Sequence, residues 1–161
     1  MVRTEISLFL KNVRGELGKL ASTLSQAGIN IDALTIQDAS QYVQELFRAR
    51  GKSLKRIAPA ASYGSMSKDS AEYALIRLLV DQTDKAVDLL ARGDYIFDVM
   101  PVIALVLDNK PGTLAKMAET FGKKGININY VYGSALPDGE KSLFIFSPED
   151  IEGAAKLFPE S

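Results

Sequence analysis

The sequence predicts an α+β fold made of two copies of one βαββαβ unit, and three observations predict it. Residues 6–35 (ISLFLKNVRGELGKLASTLSQAGINIDALT) recur as residues 103–132 (IALVLDNKPGTLAKMAETFGKKGININYVY), at a constant offset of 97, without a gap and with 13 of 30 positions identical. Within each copy the apolar period changes from that of a strand to that of a helix and back. Asparagine and glycine also return at the same turns: Asn12/Asn109, Gly15/Gly112, Gly28/Gly125 and Asn30/Asn127. Core packing alone would keep the hydrophobes and let the turns drift, so the repeat marks a duplicated structural module.

The elements follow in order. Ile6, Leu8 and Leu10 alternate along residues 4–10, and residues 102–107 form a short apolar run, so each copy opens on a strand. Leu17, Leu20, Ala21 and Leu24 then fall at helical spacing, as do Leu114, Met117, Ala118 and Phe121, which gives a helix with one apolar stripe. Gly28 and Gly125 suit the left-handed position that ends a helix. Ile29 and Ile31, or Ile126 and Ile128, begin a second strand. Residues 72–80 (EYALIRLLV) and 141–147 (KSLFIFS) read as the third strand, and Asp84–Arg92 and Glu149–Phe158 as the second helix. Tyr95–Met100 adds a fourth strand to the first copy, and Pro101 marks the junction. The order is the ferredoxin-like one, an antiparallel sheet with both helices on one face. The domains expected are 1–100 and 101–161.

The copies differ in two places. Past the second strand the offset falls from 97 to 68, so the first copy carries 29 extra residues within about 38–70. This insertion is basic over 41–58, with Val43, Leu46, Phe47, Leu54 and Ile57 on a rough helical stripe. The second copy has only the turn Leu136-Pro137-Asp138-Gly139 there. The second copy also ends soon after Phe158 and lacks a fourth strand. In a 4-1-3-2 sheet this leaves Val102–Leu107 as an unguarded apolar edge, and a homodimer is expected to cover that edge or the helix-free face.

Composition excludes several function classes. There is no cysteine and no histidine, which removes thiol nucleophiles, imidazole bases, disulfides and the usual zinc ligands. A net charge of −1 provides no field for nucleic acid or anionic membrane. The N-terminus MVRTEIS carries charges where a signal peptide needs an apolar run, and no apolar stretch is long enough to span a bilayer. A cytoplasmic protein is expected. Gly51-Lys52-Ser53 lacks the earlier glycine of a phosphate loop, which is Leu46 here. Carboxylates are scattered, so neither a catalytic pair nor a cofactor or metal site is expected.

The chemistry sits where the first strand meets the first helix. In Asp108-Asn109-Lys110-Pro111-Gly112-Thr113-Leu114, proline suits a first helical turn and glycine admits close backbone approach. The first-turn amides lack intrahelical partners and receive a carboxylate well. Asn109 can accept from an ammonium or donate to a carboxylate, and Asp108 can balance an ammonium. These are the needs of a zwitterionic amino acid. One such loop alone also reads as an ordinary capped turn, and Asn30 and Asn127 as polar residues at the start of a strand. Repetition of asparagine and glycine at equal spacing argues for a site.

The pattern strand–(D/E)-N-x-P-G-x-L–helix–G-I-N-I resembles the ACT domain, an amino-acid-binding regulatory module, and the resemblance covers nearly everything except 38–70. It implies two domains paired side by side through their second strands in an eight-stranded sheet. Ligand would lie at the seam, between the first loop of one domain and the start of the second strand of the other. By position, one site joins Asn109, Gly112, Thr113, Leu114 and Asp108 to Asn30. A weaker one joins Asn12, Gly15, Glu16 and Leu17 to Asn127, because Lys11 replaces the acid, Arg14 replaces the proline, and Glu16 repels a carboxylate. The function implied is that of a non-catalytic sensor of a free amino acid that modulates a partner. The alternatives are a regulatory subunit acting mainly by contact with a biosynthetic enzyme, and a ligand-responsive transcriptional regulator using the basic insertion.

Overall fold

The computed structural model describes residues 1–39, 73–135 and 139–158. The expected insertion helix, the tip of the turn at 136–138 and the last three residues lie outside them. The chain divides into two units: Glu5–Met100, and Pro101–Ser161 together with Met1–Thr4. Its elements are β1 (Val2–Lys11), α1 (Glu16–Gln26), β2 (Ile31–Asp38), β3 (Tyr73–Val80), α2 (Thr83–Arg92), β4 (Ile96–Asp108), α3 (Thr113–Lys123), β5 (Ile128–Ala135), β6 (Lys141–Pro148) and α4 (Ile151–Leu157). Among the described residues no helix is long and apolar enough to cross a membrane.

In the unit Glu5–Met100 the strands run in the order β2-β3-β1-β4. Antiparallel pairing puts Ile6 across from Leu78, Leu8 from Ile76 and Leu10 from Ala74, while Leu34 and Ile36 face Leu78 and Ile76 from the other side of β3. Alternation sends Ile6, Leu8, Leu10, Ile76, Leu78 and Val80 to one face. Leu20 and Leu24 of α1 and Ala86 and Leu90 of α2 bury themselves against that face, so both helices lie on it. Each fully buried leucine contributes about 1.5–3 kcal/mol of hydrophobic stabilisation.

The glycine expected to end α1 is the left-handed C′ residue of a Schellman motif. Gly28 has φ 70°, its amide donates to the Ser25 carbonyl, and the Ile29 amide reaches the Leu24 carbonyl. Gly125, at φ 68°, repeats the arrangement after α3, with the Ile126 amide on the Phe121 carbonyl. After α2 the same motif is built with Asp94 at φ 56°, and the Tyr95 amide bonds the Leu90 carbonyl.

The other unit uses β4, β6 and β5 in that order, with Ile103 across from Phe146 and Val131 across from Phe146 on the far side. Its core is aromatic. Phe121, Phe146 and Phe158 stand where the first unit has Leu24, Leu78 and Leu90, and both Phe121–Phe146 and Phe121–Phe158 lie 5.3 Å apart in tilted contact. Ala154 and Ile151 of α4 and Met117 of α3 close the same core.

The edge expected to be open is not open. Met1–Thr4 occupies the position of the missing fourth strand: the Ala104 amide donates to the Met1 carbonyl at 2.9 Å, and the Met1 ammonium donates to the Ala104 carbonyl at 3.2 Å. Val102 and Ile103 are fully buried. Pro101 is not a break either, because β4 runs straight through it. The β4–β6 register, continued by two residues, sets Pro101 opposite Pro148, the last residue of β6. A missing N–H there interrupts no ladder.

Candidate functional site

The duplicated loops have one geometry. Gly112 caps α3 at φ 88° and ψ −12°, and Gly15 caps α1 at φ 91° and ψ −17°. A Cβ at either glycine would meet nothing within 4 Å, so it is the left-handed backbone, not crowding, that calls for glycine. The Thr113 amide turns back to the Lys110 carbonyl and the Lys116 amide to that of Gly112, just as Glu16 turns to Val13 and Lys19 to Gly15. Helix α3 therefore begins at Thr113, and Pro111 lies ahead of the cap, not in the first turn. Neither glycine offers a capping side chain. Among the described residues, the amides of Leu114 and Ala115, like those of Leu17 and Gly18, meet no acceptor. Each loop thus presents helix-start donors to solvent.

The second loop is stitched to the β5–β6 hairpin. Asn109 donates its backbone N–H to the Glu140 carbonyl at 2.9 Å and its side-chain Nδ2 to the Gly139 carbonyl at 3.0 Å. Asp108 does not stand ready for a ligand ammonium. Its Oδ1 takes a 2.6 Å bond from Lys141 Nζ, and Lys110 Nζ lies 3.6 Å from Oδ2. The Lys141 bond, then the charges of Lys141 and Lys110, hold the Asp108 carboxyl below its usual value of 3.8, while the Asp108 bond raises Lys141 above 10.5. In the first unit the equivalent cross-strand pair is Lys11 with Tyr73, so this ion pair belongs to one loop only. Lys141, which sequence reasoning missed, was signalled by its place: the first residue of the third strand faces the last residue of the first.

The starts of the second strands are also built alike. The Asn30 carbonyl accepts from the Asp81 amide at 3.1 Å, and the Asn127 carbonyl from the Glu149 amide at 2.8 Å. Asn30 has more: its amide donates to Asp81 Oδ1 at 2.8 Å, and its Nδ2 to Asp32 Oδ1 at 3.1 Å. Asp32 and Asp81 were not anticipated. The predicted residues fall by unit: Asn109, Gly112, Thr113, Leu114, Asp108 and Asn127 in one, and Asn12, Gly15, Glu16, Leu17 and Asn30 in the other. Glu16 sits in the first turn of α1, whereas α3 has no acid there.

Both units leave the same apolar side chains in solvent. Leu17 and Leu114, in the first helical turns, are 38% and 41% exposed, and Leu34 and Val131, on β2 and β5, are 36% and 41% exposed. Strands β2 and β5 are the outer strands of their respective units. Isolated exposed leucines mean little, but here the same two positions are bare in both copies.

Among solved structures, the fold is similar to that of a protein from Bacteroides thetaiotaomicron at 22% identity, covering 98% of this chain and 87% of that one with a TM-score of 0.72. It is also similar to the regulatory subunit of aspartate kinase from Thermus thermophilus, at 13% identity over 99% of this chain and 98% of that one with a TM-score of 0.53. The corresponding subunit from Thermus flavus matches at 14% identity over 98% and 92%, with a TM-score of 0.52. These likenesses establish the fold. No curated protein matches the sequence. Residues 51–158 match the family described as the ACT domain pair, which is more than half of the chain. The chain belongs to the ACT domain pair family.

Proposed function

We propose that the protein is a non-catalytic sensor that binds a free amino acid where two ACT domains meet and thereby modulates a partner protein. One observation carries this reading. Two loops of equal geometry, each with a left-handed glycine cap, present unbonded helix-start amides beside exposed apolar side chains at matching positions. Such amides receive a ligand carboxylate. Pairing of two chains through the outer strands β2 and β5 would bury Leu34, Ile36 and Val131, form an eight-stranded sheet, and set a first loop beside the start of a second strand. The site we favour joins Asn109, Gly112, Thr113, Leu114 and Asp108 to Asn30, with Asp108 acting through Lys141 to brace the loop. The site of Asn12, Gly15, Glu16, Leu17 and Asn127 is the weaker, because Glu16 repels a carboxylate.

A small zwitterion in such a site binds in the micromolar to millimolar range, on the order of 4–8 kcal/mol. Calorimetry with the twenty amino acids tests this. Asn109→Ala should weaken the bound amino acid by roughly tenfold or more, and Asn12→Ala by less. No binding at millimolar concentration refutes the sensor, and equal losses refute the asymmetry. Light scattering should give about twice the 17.5 kDa chain mass. A second reading, a regulatory subunit acting mainly by contact, is supported by the likeness along nearly the full chain to regulatory subunits of aspartate kinase. Retention of a catalytic partner in the absence of any amino acid would favour it.

A further inference from the structure

We infer that Asp32 is a positioning residue that locks the side chain of Asn30 as a hydrogen-bond acceptor, so that the site of which Asn30 is part selects an α-ammonium group over an α-hydroxyl or α-keto group. The inference rests on the amino-acid-sensing reading above and deepens it. A carboxamide can offer either end to a ligand, and nothing in an isolated asparagine decides which. At Asn30 the choice is made by its surroundings. The backbone is pinned on both sides by Asp81, whose Oδ1 accepts from the Asn30 amide at 2.8 Å and whose own amide donates to the Asn30 carbonyl at 3.1 Å.

The side chain then meets Asp32 Oδ1 at 3.1 Å. An ionised carboxylate only accepts, so it holds the Nδ2 end, and a flipped Asn30 would set two oxygens against each other. The Oδ1 of Asn30 is therefore turned away from Asp32, and among the described residues it has no donor. Asp32 can impose this because β2 is irregular between Ile31 and Ala33, and the aspartate stands at that irregularity, outside the regular register with β3. An oxygen acceptor next to a carboxylate suits a cation carrying several N–H donors. It gives a hydroxyl one bond at most and repels a ketone oxygen.

The other copy lacks the device. Position 129, the equivalent of 32, is Asn129, which can donate or accept and so leaves Asn127 free to present either end. The two sites of the duplicated protein thus differ in the group they demand, over and above the difference in their loops.

The test uses the full chain, calorimetry, the amino acid that binds best and the 2-hydroxy acid with the same side chain. Wild type should prefer the amino acid by at least about a hundredfold, and Asp32→Asn should shrink that ratio by roughly tenfold, by weakening the amino acid and leaving the hydroxy acid nearly unchanged. A general loosening of the site would weaken both ligands together, which would overturn the assignment. An unchanged ratio would also overturn it while leaving the sensor reading intact. If wild type binds no amino acid, the sensor reading itself falls. Asp32→Glu, which keeps the acceptor, should restore part of the ratio, and equal ratios in the Asn and Glu variants would contradict the locking role.

Discussion

Gly133 and Phe144 form a pair whose replacement should expose how tightly the second unit is packed. They face each other across β5 and β6, where the first unit sets Ile36 against Ile76. One unit fills the position with two medium side chains, the other with a ring and a hydrogen. A Cβ on Gly133 would lie 2.6 Å from Phe144 Cδ1 and 2.7 Å from the Leu143 carbonyl oxygen, well inside the roughly 3.5–4.0 Å at which non-bonded carbons rest. The ring can tilt, but the carbonyl belongs to a paired strand and cannot. Gly133→Ala should therefore cost about 1–3 kcal/mol, the usual penalty of overpacking, or roughly 3 °C of melting temperature per kcal/mol in a chain of this size. Phe144→Ile alone should cost about 1–3 kcal/mol through the space it leaves in the aromatic core. If the ring shares in the crowding, the double variant should be more stable than the two single losses added, by about 0.5–1.5 kcal/mol. Urea unfolding of the four proteins closes the cycle. Strict additivity would show that the carbonyl alone is limiting, and a neutral Gly133→Ala would refute the packing argument altogether.

The Asp108–Lys141 tie should respond to pH in a stated direction. Its carboxyl is depressed in the folded chain, so its stabilisation is present above the ordinary value of 3.8 and is lost as pH falls through the lower folded value. The lysine is raised, so its share is complete below 10.5 and is lost as pH rises through its higher folded value. A carboxyl titration followed by NMR should place Asp108 below 3.8, and Lys141→Ala should return it toward that value; no movement would mean the bond is absent in solution. At the end of α2, Asp94→Gly should stabilise the chain by about 0.5–1 kcal/mol, because a left-handed C′ position favours glycine, and a loss in urea unfolding would assign the carboxylate a role of its own. Asp150, whose side chain accepts from the Gly153 amide at 2.9 Å at the start of α4, should cost about 1 kcal/mol when replaced by alanine; a melting point unchanged from wild type would count against it.

Much of this architecture was legible because the chain carries its own comparison. Leu20 and Leu24 matched against Met117 and Phe121 fixed the helical phase, and Gly28 matched against Gly125 identified a terminus that one copy alone leaves ambiguous. Partner choice was less legible. Alternation along residues 2–11 says which face is buried and nothing about which strand lies alongside, so the pairing of Met1 with Ala104 was invisible and an open edge was inferred in its place. In the site, Gly15 and Gly112 were legible as loop glycines from the repeat, but their left-handed backbone was not. Nor was the use made of Asn109, whose Nδ2 goes to the Gly139 carbonyl, because backbone acceptors have no residue-type signature. Lys141 and Asp32 escaped for a related reason: each depends on a register or an irregularity in a strand that only the folded sheet defines.

The place of Met1–Thr4 has a consequence for how the molecule comes into being. The segment Met1–Thr4 belongs to the unit encoded last, and the Met1–Ala104 bonds close a span of 103 residues. At about 5–20 residues per second, the nascent chain holds that segment unpaired for roughly 5–20 s before its partner strand is synthesised. Contacts so distant in sequence form late and slow folding. A cut between Met100 and Pro101 would follow the duplication yet strip one fragment of its border strand, so the unit of heredity in this chain is not the unit of folding.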